Sequence, residues 1–451
     1  METLWFHAAL LPDGWAEKVR ITIDDAAIQR IETGVDATDD DELHGFAVPG
    51  LANVHSHAFQ RGMAGLAEVR GPANDSFWTW REVMYRFIDR LTPDDVQAIA
   101  ELAYVEMLES GFTRVGEFHY VHHDANGKPY ANIAELASRI AAASAEAGIG
   151  LTLLPVFYAH SNFGGKPPVP GQRRFINDPP SFARLMEASR KAIAPLHNAN
   201  IGVAPHSLRA VMPEELKEII PLAQGGPIHI HVAEQTKEVD DCIAWSGARP
   251  VQWLLDHAGV NRNWCLVHAT HMTAEETQRL AKSDAVAGLC PITEANLGDG
   301  IFPMPGYLAA HGRFGIGTDS NVLIGAAQEL RMMEYAQRLC LRARNVLSPE
   351  AGCSTGRSLF DGALAGGFQS LGISRFGLKE GRPADLVSLN VADPALAGRS
   401  GDAILDSWIF AGNNPVGCVW RSGVRVVHGG RHRNRSQIEA KYKEALARIV
   451  N

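Results

Sequence analysis

His55 and His57 stand two apart, directly after the apolar run FAVPGLANV. On a β-strand, residues two apart point to the same side, so both imidazoles can reach one point in space. The same spacing is also ordinary strand alternation. What decides between the two is which other residues the fold brings to that point. The stretches IHIHVAE and GIGTDS offer His229, His231, Glu234 and Asp319. Three imidazoles and one carboxylate, from His55, His57, His231 and Asp319, suit Zn²⁺ with an open position for water. Ligand type alone leaves iron and manganese open. His229 shares a face with His231. His231 lies nearer the C-terminal end of its run and is the expected ligand, leaving His229 as a packed core residue.

An ion that activates water needs partners for the protons. Glu234, three residues beyond His231, is placed to lean over the ion's open side, where a carboxylate protonates a leaving nitrogen and shuttles protons. His268 ends the run NWCLVH. There it orients the water or the oxyanion that forms from it, while His271 falls in the following loop. Barrels with two ions usually carry a bridging lysine on strand four, and the run NIGVAPHS has none. One metal ion is therefore expected.

The elements that must position these residues are short apolar runs. Eight of them recur: AVPGLANVHSH, GFTRVGEFHY, GIGLTLLPVFY, NIGVAPHS, GPIHIHVAE, NWCLVHATH, AVAGLCPIT and RFGIGTDSN. Amphipathic stretches such as TPDDVQAIAELAYVEMLESG separate them. Apolar strands alternating with helices predict an α/β fold, a parallel (β/α)8 TIM barrel over residues 49–371, of a size near the usual ~250 residues. Chemistry in such barrels sits at the C-terminal ends of the strands. Polar residues end most of these runs: His55 and His57, then Glu117, His119 and Tyr120, then His206, His231 with Glu234, His268, and Asp319.

The two ends of the chain look alike and unlike the middle. Residues 1–48 and 372–432 hold short β-branched runs broken by Gly and Asn, and are expected to pair into one small β-sandwich. Residues 433–451 read as a helix. Apolar residues make up 46% of the 451, and the net charge of -9 disfavours a nucleic-acid surface. No run is long enough to span a membrane. The N-terminal residues lack a signal-peptide pattern. The six scattered cysteines form no C-x-x-C pair, which fits a reducing cytoplasm.

HSH on the first run, HVAE on the fifth, HATH on the sixth and GTDS on the eighth resemble the amidohydrolase superfamily, in its mononuclear deaminase branch. The likeness covers essentially the whole chain. It implies that His55, His57, His231 and Asp319 hold the metal, and that Glu234, His268 and Asp319 handle protons. Longer strings, among them HSHAFQRGMAGLAE, DSFWTWREVMYR, EFHYVHHD, HSLRAV and TEANLGDGIFP, are similar to the formimidoylglutamate deiminase family. That likeness implies deamination of N-formimino-L-glutamate in histidine degradation, a homodimer, and a substrate shell of Gln60, Arg81, Tyr120, His206 and Arg209. A dicarboxylate substrate calls for arginines as bidentate partners. Arg86, Arg173 and Arg174 are rivals for that role, and Phe77, Trp78 and Trp80 read as packing within a lid. A deaminase of a cytosine-, guanine- or triazine-like ring is the alternative within the same branch.

Overall fold

The structure, a computed structural model, describes residues 1–71 and 75–450. Eight parallel strands form the barrel. Strand one is Leu51–Ser56, strand two Phe112–His119, strand three Gly150–Phe157, and strand four the two short pieces Asn200–Ile201 and Ala204–Pro205. Strand five is Ile228–Val232, strand six Trp264–His268, strand seven Val286–Leu289, and strand eight Arg313–Ile316. Strand eight pairs with strand one. The bridges Val203–Ile228 and Ser207–His231 join strand four to strand five and close the ring. Nearly every residue of these strands is buried. They are covered by side chains inside and by helices outside, which is why they read as continuous apolar runs.

Local sequence signals set the helices between the strands. Thr92 and Asp95 form a capping box with Pro93 in the first turn of the helix Pro93–Glu109. Gly148, in the left-handed region at φ 77, ends the helix Glu135–Ala147. Between strand one and the helix Pro93–Glu109 the chain adds the helix Phe77–Ile88, capped by Ser76. This extra helix lies over the C-terminal ends of the strands.

The two chain ends combine in one eight-stranded sheet. Its order runs Arg431–His432, Val424–His428, Val416–Arg421, Leu386–Leu389, Glu42–Pro49, Glu2–Leu11, Gly14–Asp24 and Ala27–Glu32. The sandwich expected there is thus one continuous sheet that curls over its own core. Leu4, Phe6, Val19, Ile21, Leu386 and Trp420 fill that core. The curl brings the far edge back, where Ala27 bridges Pro383 and the Ala384 amide donates to the Ala26 carbonyl at 3.0 Å. Residues 372–432 also contain a helix the sequence reading did not foresee, Ala403–Phe410. It packs on the barrel helix Thr355–Ser370, with the Gly356 amide donating to Asp406 at 2.8 Å. The C-terminal helix Arg435–Val450 lies along Pro93–Glu109 through Arg435–Glu109 and Arg448–Asp95 pairs, each at 2.7 Å. Among the described residues, no helix is long and apolar enough to cross a membrane.

Candidate active site

Strands one, five and eight deliver four donor atoms to one point on the barrel axis. His55 Nε2 lies 3.1 Å from His57 Nε2 and 3.0 Å from His231 Nε2. Asp319 Oδ1 lies 3.4 Å from the first of these and 3.3 Å from the second. His57 donates Nδ1–H to the Phe118 carbonyl at 2.9 Å, and His231 donates Nδ1–H to the His206 carbonyl at 3.0 Å. These bonds fix the tautomer, so Nε2 of both rings presents a lone pair. Lone pairs and a carboxylate oxygen converging at such distances repel one another unless a cation lies among them. A tetrahedral ion with bonds of about 2.0–2.1 Å would have donor–donor edges of roughly 3.3–3.4 Å. The residues therefore fit a divalent metal ion, and His55, His57 and His231 form a cluster able to hold one.

The backbone places these donors by close approach of strands one and eight. The amides of Thr318 and Asp319 donate to the His55 carbonyl at 3.1 and 2.9 Å, and the His57 amide donates to the Asp319 carbonyl at 2.9 Å. A Cβ at Gly317 would lie 2.8 Å from the His55 carbonyl oxygen, so only glycine permits this contact. Buried Asn53, Thr318 and Asn321 tie the two strand ends with side-chain hydrogen bonds of 2.6–2.7 Å. His268 and Asp319 hold φ of 67 and 43, in the left-handed region. Such strain persists where the surroundings enforce it, as at functional sites.

Above the donor cluster opens a cleft. His57, His231, Asp319, Glu234 and His268 line its floor, and Gln60, Arg81, Tyr120, His206 and Arg209 line its walls. His55 lies beneath them, wholly buried. His268 Nε2 stands 3.7 Å from Glu234 Oε1 and 3.8 Å from Asp319 Oδ2. Its Nδ1 bonds Glu294 at 3.2 Å. Arg209 lies 3.7 Å from Glu234 and 4.0 Å from Glu238. Gln60 donates to the Tyr120 hydroxyl at 2.8 Å. Gln60 Oε1, Arg81 Nε, Arg209 Nε and His268 Nε2 are buried without a hydrogen-bond partner. Buried polar atoms are seldom left so, and here they surround one cleft.

The rival arginines go elsewhere. Arg174 is fully buried, with Nε on the His123 carbonyl and Nη1 on those of Ile88 and Leu91. Arg173 pairs with Asp89 at 2.7 Å, and Arg86 is exposed. His229 donates to the Ser370 carbonyl at 2.7 Å, two residues below the donor cluster, and His271 bonds the Asp299 carbonyl at 2.8 Å. The aromatic segment does more than pack. Phe77 and Trp80 line the cleft, and the Trp78 ring lies under both Arg81, at 4.7 Å, and Arg209, at 5.7 Å.

Residues 46–426 match the model of the amidohydrolase family. The chain belongs to the amidohydrolase family. Its first 45 residues match a second model, the N-terminal domain of formimidoylglutamate deiminase HutF. This amidohydrolase is 49% identical to the formimidoylglutamate deiminase of Pseudomonas aeruginosa, over the whole length of both chains. A crystal structure of an amidohydrolase from Brucella melitensis superimposes with a TM-score of 0.97 at 59% identity, covering all of both chains. The fold also matches an adenosine deaminase from Xanthomonas campestris with bound zinc. There the TM-score is 0.81 and the identity 20%, over 99% of this chain and 98% of that one.

Several groups of this amidohydrolase's site went unnoticed in the sequence. Tyr85 and Tyr158 line the cleft, Glu238 faces Arg209, and Glu294 reaches His268 from the segment after strand seven. Tyr158 ends the apolar run GIGLTLLPVFY; the other three lie on helices, where position along a strand offers no signal. Burial sets the electrostatics of the site. It pushes Glu234 up to about 7, against the opposing charges of His268 and Arg209. It also works against charge on His268, but Glu234, Glu294 and Asp319 outweigh it and hold that ring up at about 10. His57 is lowered to about 3 by burial and by His55. Burial opposes ionisation of Asp319, yet the hydrogen bond and charge of His55, with His57 and His268, hold it well below the carboxylate range. A neutral imidazole and an ionised carboxylate are the forms that bind metal.

Proposed function

We propose that this amidohydrolase hydrolyses N-formimino-L-glutamate to N-formyl-L-glutamate and ammonia. One observation carries the reading. The same cleft has a metal-donor cluster at its floor and two guanidinium groups, Arg81 and Arg209, with unpartnered Nε–H in its walls. A substrate with a formimino head and two carboxylates complements both features. Arginine binds carboxylates through a planar fork of donors. The full-length relative named a formimidoylglutamate deiminase supports the same substrate.

His55, His57, His231 and Asp319 hold one divalent ion, for which the three imidazoles and one carboxylate favour zinc. When bound, the ion supplies a water nucleophile at neutral pH and polarises the group under attack. Arg81 and Arg209 bind the carboxylates, and Gln60, Tyr120 and His206 orient the chain between. Water adds to the formimino carbon, and the C=N bond becomes a single bond as its nitrogen gains a proton. Asp319 and Glu234 take up the proton that water loses. Glu234 returns it to the nitrogen, a shuttle suited to a carboxyl that titrates at about 7. His268 Nε2 donates a hydrogen bond to the attacking oxygen. The hydroxyl of the adduct then gives up its proton, which Glu234 passes to the same nitrogen; the C–N bond breaks as the formyl C=O forms, and ammonia leaves. The enzyme works in the cytoplasm as a homodimer.

The test compares ammonia release from N-formimino-L-glutamate with that from cytosine and guanine, with metal content measured on the same sample. Turnover of the formimino substrate with one ion per chain is expected. Release from a ring and not from the formimino substrate would refute the proposal.

A further inference from the structure

Strand seven is a barrel strand whose run offers the rim a thiol, Cys290, but no carboxylate or imidazole. The helix that follows it, Pro291–Leu297, brings one back. Glu294, 5% exposed, points its Oε1 at two donors, the Cys290 amide at 2.9 Å and His268 Nδ1 at 3.2 Å. The first contact ties the carboxylate to the start of its own helix. The second reaches across from strand seven to strand six.

His268 stacks its ring on His231 at 5.7 Å, and among the described residues Glu294 is the ring's one hydrogen-bond partner. Its ring is fully buried, its backbone sits in the left-handed region, and its Nε2 has no hydrogen-bond partner. In an imidazole, the bond made by one nitrogen decides what the other presents. Because Glu294 is an acceptor, Nδ1 must carry the proton, and Nε2 is left as the atom that faces Glu234 and Asp319 across the cleft floor. A glutamine would cap the Cys290 amide equally well, without burying a charge. A buried carboxylate is costly unless its oxygens find donors, and the donors here are the Cys290 amide and His268 Nδ1–H.

We propose that Glu294 is a positioning residue for the deamination, holding the His268 ring by its Nδ1–H so that Nε2 meets the reacting oxygen. The proposal rests on the role given to His268 above, and the experiment separates the two. Glu294→Ala, Glu294→Gln, His268→Asn and the double variant Glu294→Ala/His268→Asn are prepared with zinc. Turnover of N-formimino-L-glutamate, zinc per chain and the thermal midpoint are measured for each. Groups that orient a site histidine through its other ring nitrogen are worth about 10–100-fold in activity. Glu294→Ala is expected to lose that factor in kcat, with KM within threefold and zinc content unchanged. Glu294→Gln, which keeps an acceptor for Nδ1–H, is expected to recover most of it. Adding Glu294→Ala to His268→Asn is expected to cost less than threefold more, because a residue acting through His268 has nothing left to act on. Equal losses in both backgrounds, or a Glu294→Ala loss accompanied by falling zinc content, would overturn the proposal. If His268→Asn kept wild-type turnover, the role of His268 itself would fail. If His268→Asn were crippled and Glu294→Ala were not, only the positioning role would fail.

Discussion

Replacing Glu234 with glutamine removes a proton carrier from the cleft without changing its shape. General acid–base groups contribute about 10²–10⁴-fold, so kcat should fall by that factor. The zinc site should survive, because Glu234 lies outside the quartet of His55, His57, His231 and Asp319. Stability should move the other way. An acid held at about 7 in the folded protein and 4.5 when unfolded binds its proton more tightly in the folded state. Stability then falls as pH rises from 4.5 to 7, and the cost stays constant above that. At 1.36 kcal/mol per unit, the cost is about 3 kcal/mol at pH 8 and close to zero below pH 4.5. Glutamine cannot ionise, so the variant should gain about that much at pH 8 and almost nothing near pH 4.5. The comparison uses chelated protein, because a bound cation would itself favour the carboxylate. Urea unfolding at the two pH values, with steady-state ammonia release from the zinc-loaded form, measures both effects. Activity within tenfold of wild type would remove Glu234 from the chemistry. A stability gain of equal size at both pH values would show that it does not arise from a buried charge.

Other perturbations address the remaining roles. Arg209→Met or Arg81→Met should raise KM about 10–100-fold with a smaller effect on kcat, since each removes a charge-assisted bond to substrate. Unchanged kcat/KM in either variant would place the substrate carboxylates elsewhere. Chelation should abolish turnover and one equivalent of zinc per chain should restore it; a requirement for two would contradict a one-ion site at His55, His57, His231 and Asp319 and bring in the neighbouring group His268, Cys290 and Asp319. His231→Ala should lose zinc. His229→Ala should keep zinc and lose roughly 1–3 kcal/mol of stability, because it orphans the Ser370 carbonyl in the core. Zinc loss from His229→Ala would reverse the choice between the two.

The barrel was legible because strands buried on both faces read as apolar runs, and their polar ends then mark one rim. This logic located His55, His57, His231, His268 and Asp319 without reference to tertiary contacts. It failed wherever a residue reaches the site from a helix. Glu294 lies one turn into Pro291–Leu297, and Tyr85 lies on Phe77–Ile88. Nor does sequence rank arginines. Arg174 and Arg209 both lie in connections between strands and helices, and only the structure shows carbonyls occupying the first while Nε of the second stays free. The helix Ala403–Phe410 escaped notice because it is apolar nearly all round, with Ile404, Leu405, Trp408 and Ile409 buried, and carries no amphipathic stripe.

The continuous terminal sheet has a consequence for the order in which the chain is made. Glu42–Pro49 pairs on one side with Glu2–Leu11 and on the other with Leu386–Leu389, where Val48 faces Val387. The first partner leaves the ribosome with it; the second follows only after the entire barrel has been synthesised. Until then, a strand that leads straight into strand one carries an open edge and an uncovered apolar face. Such edges are places where nascent chains pair wrongly. Completion of this sheet therefore comes after synthesis of the barrel it adjoins. It closes the β domain and fixes the approach to His55 in a single step.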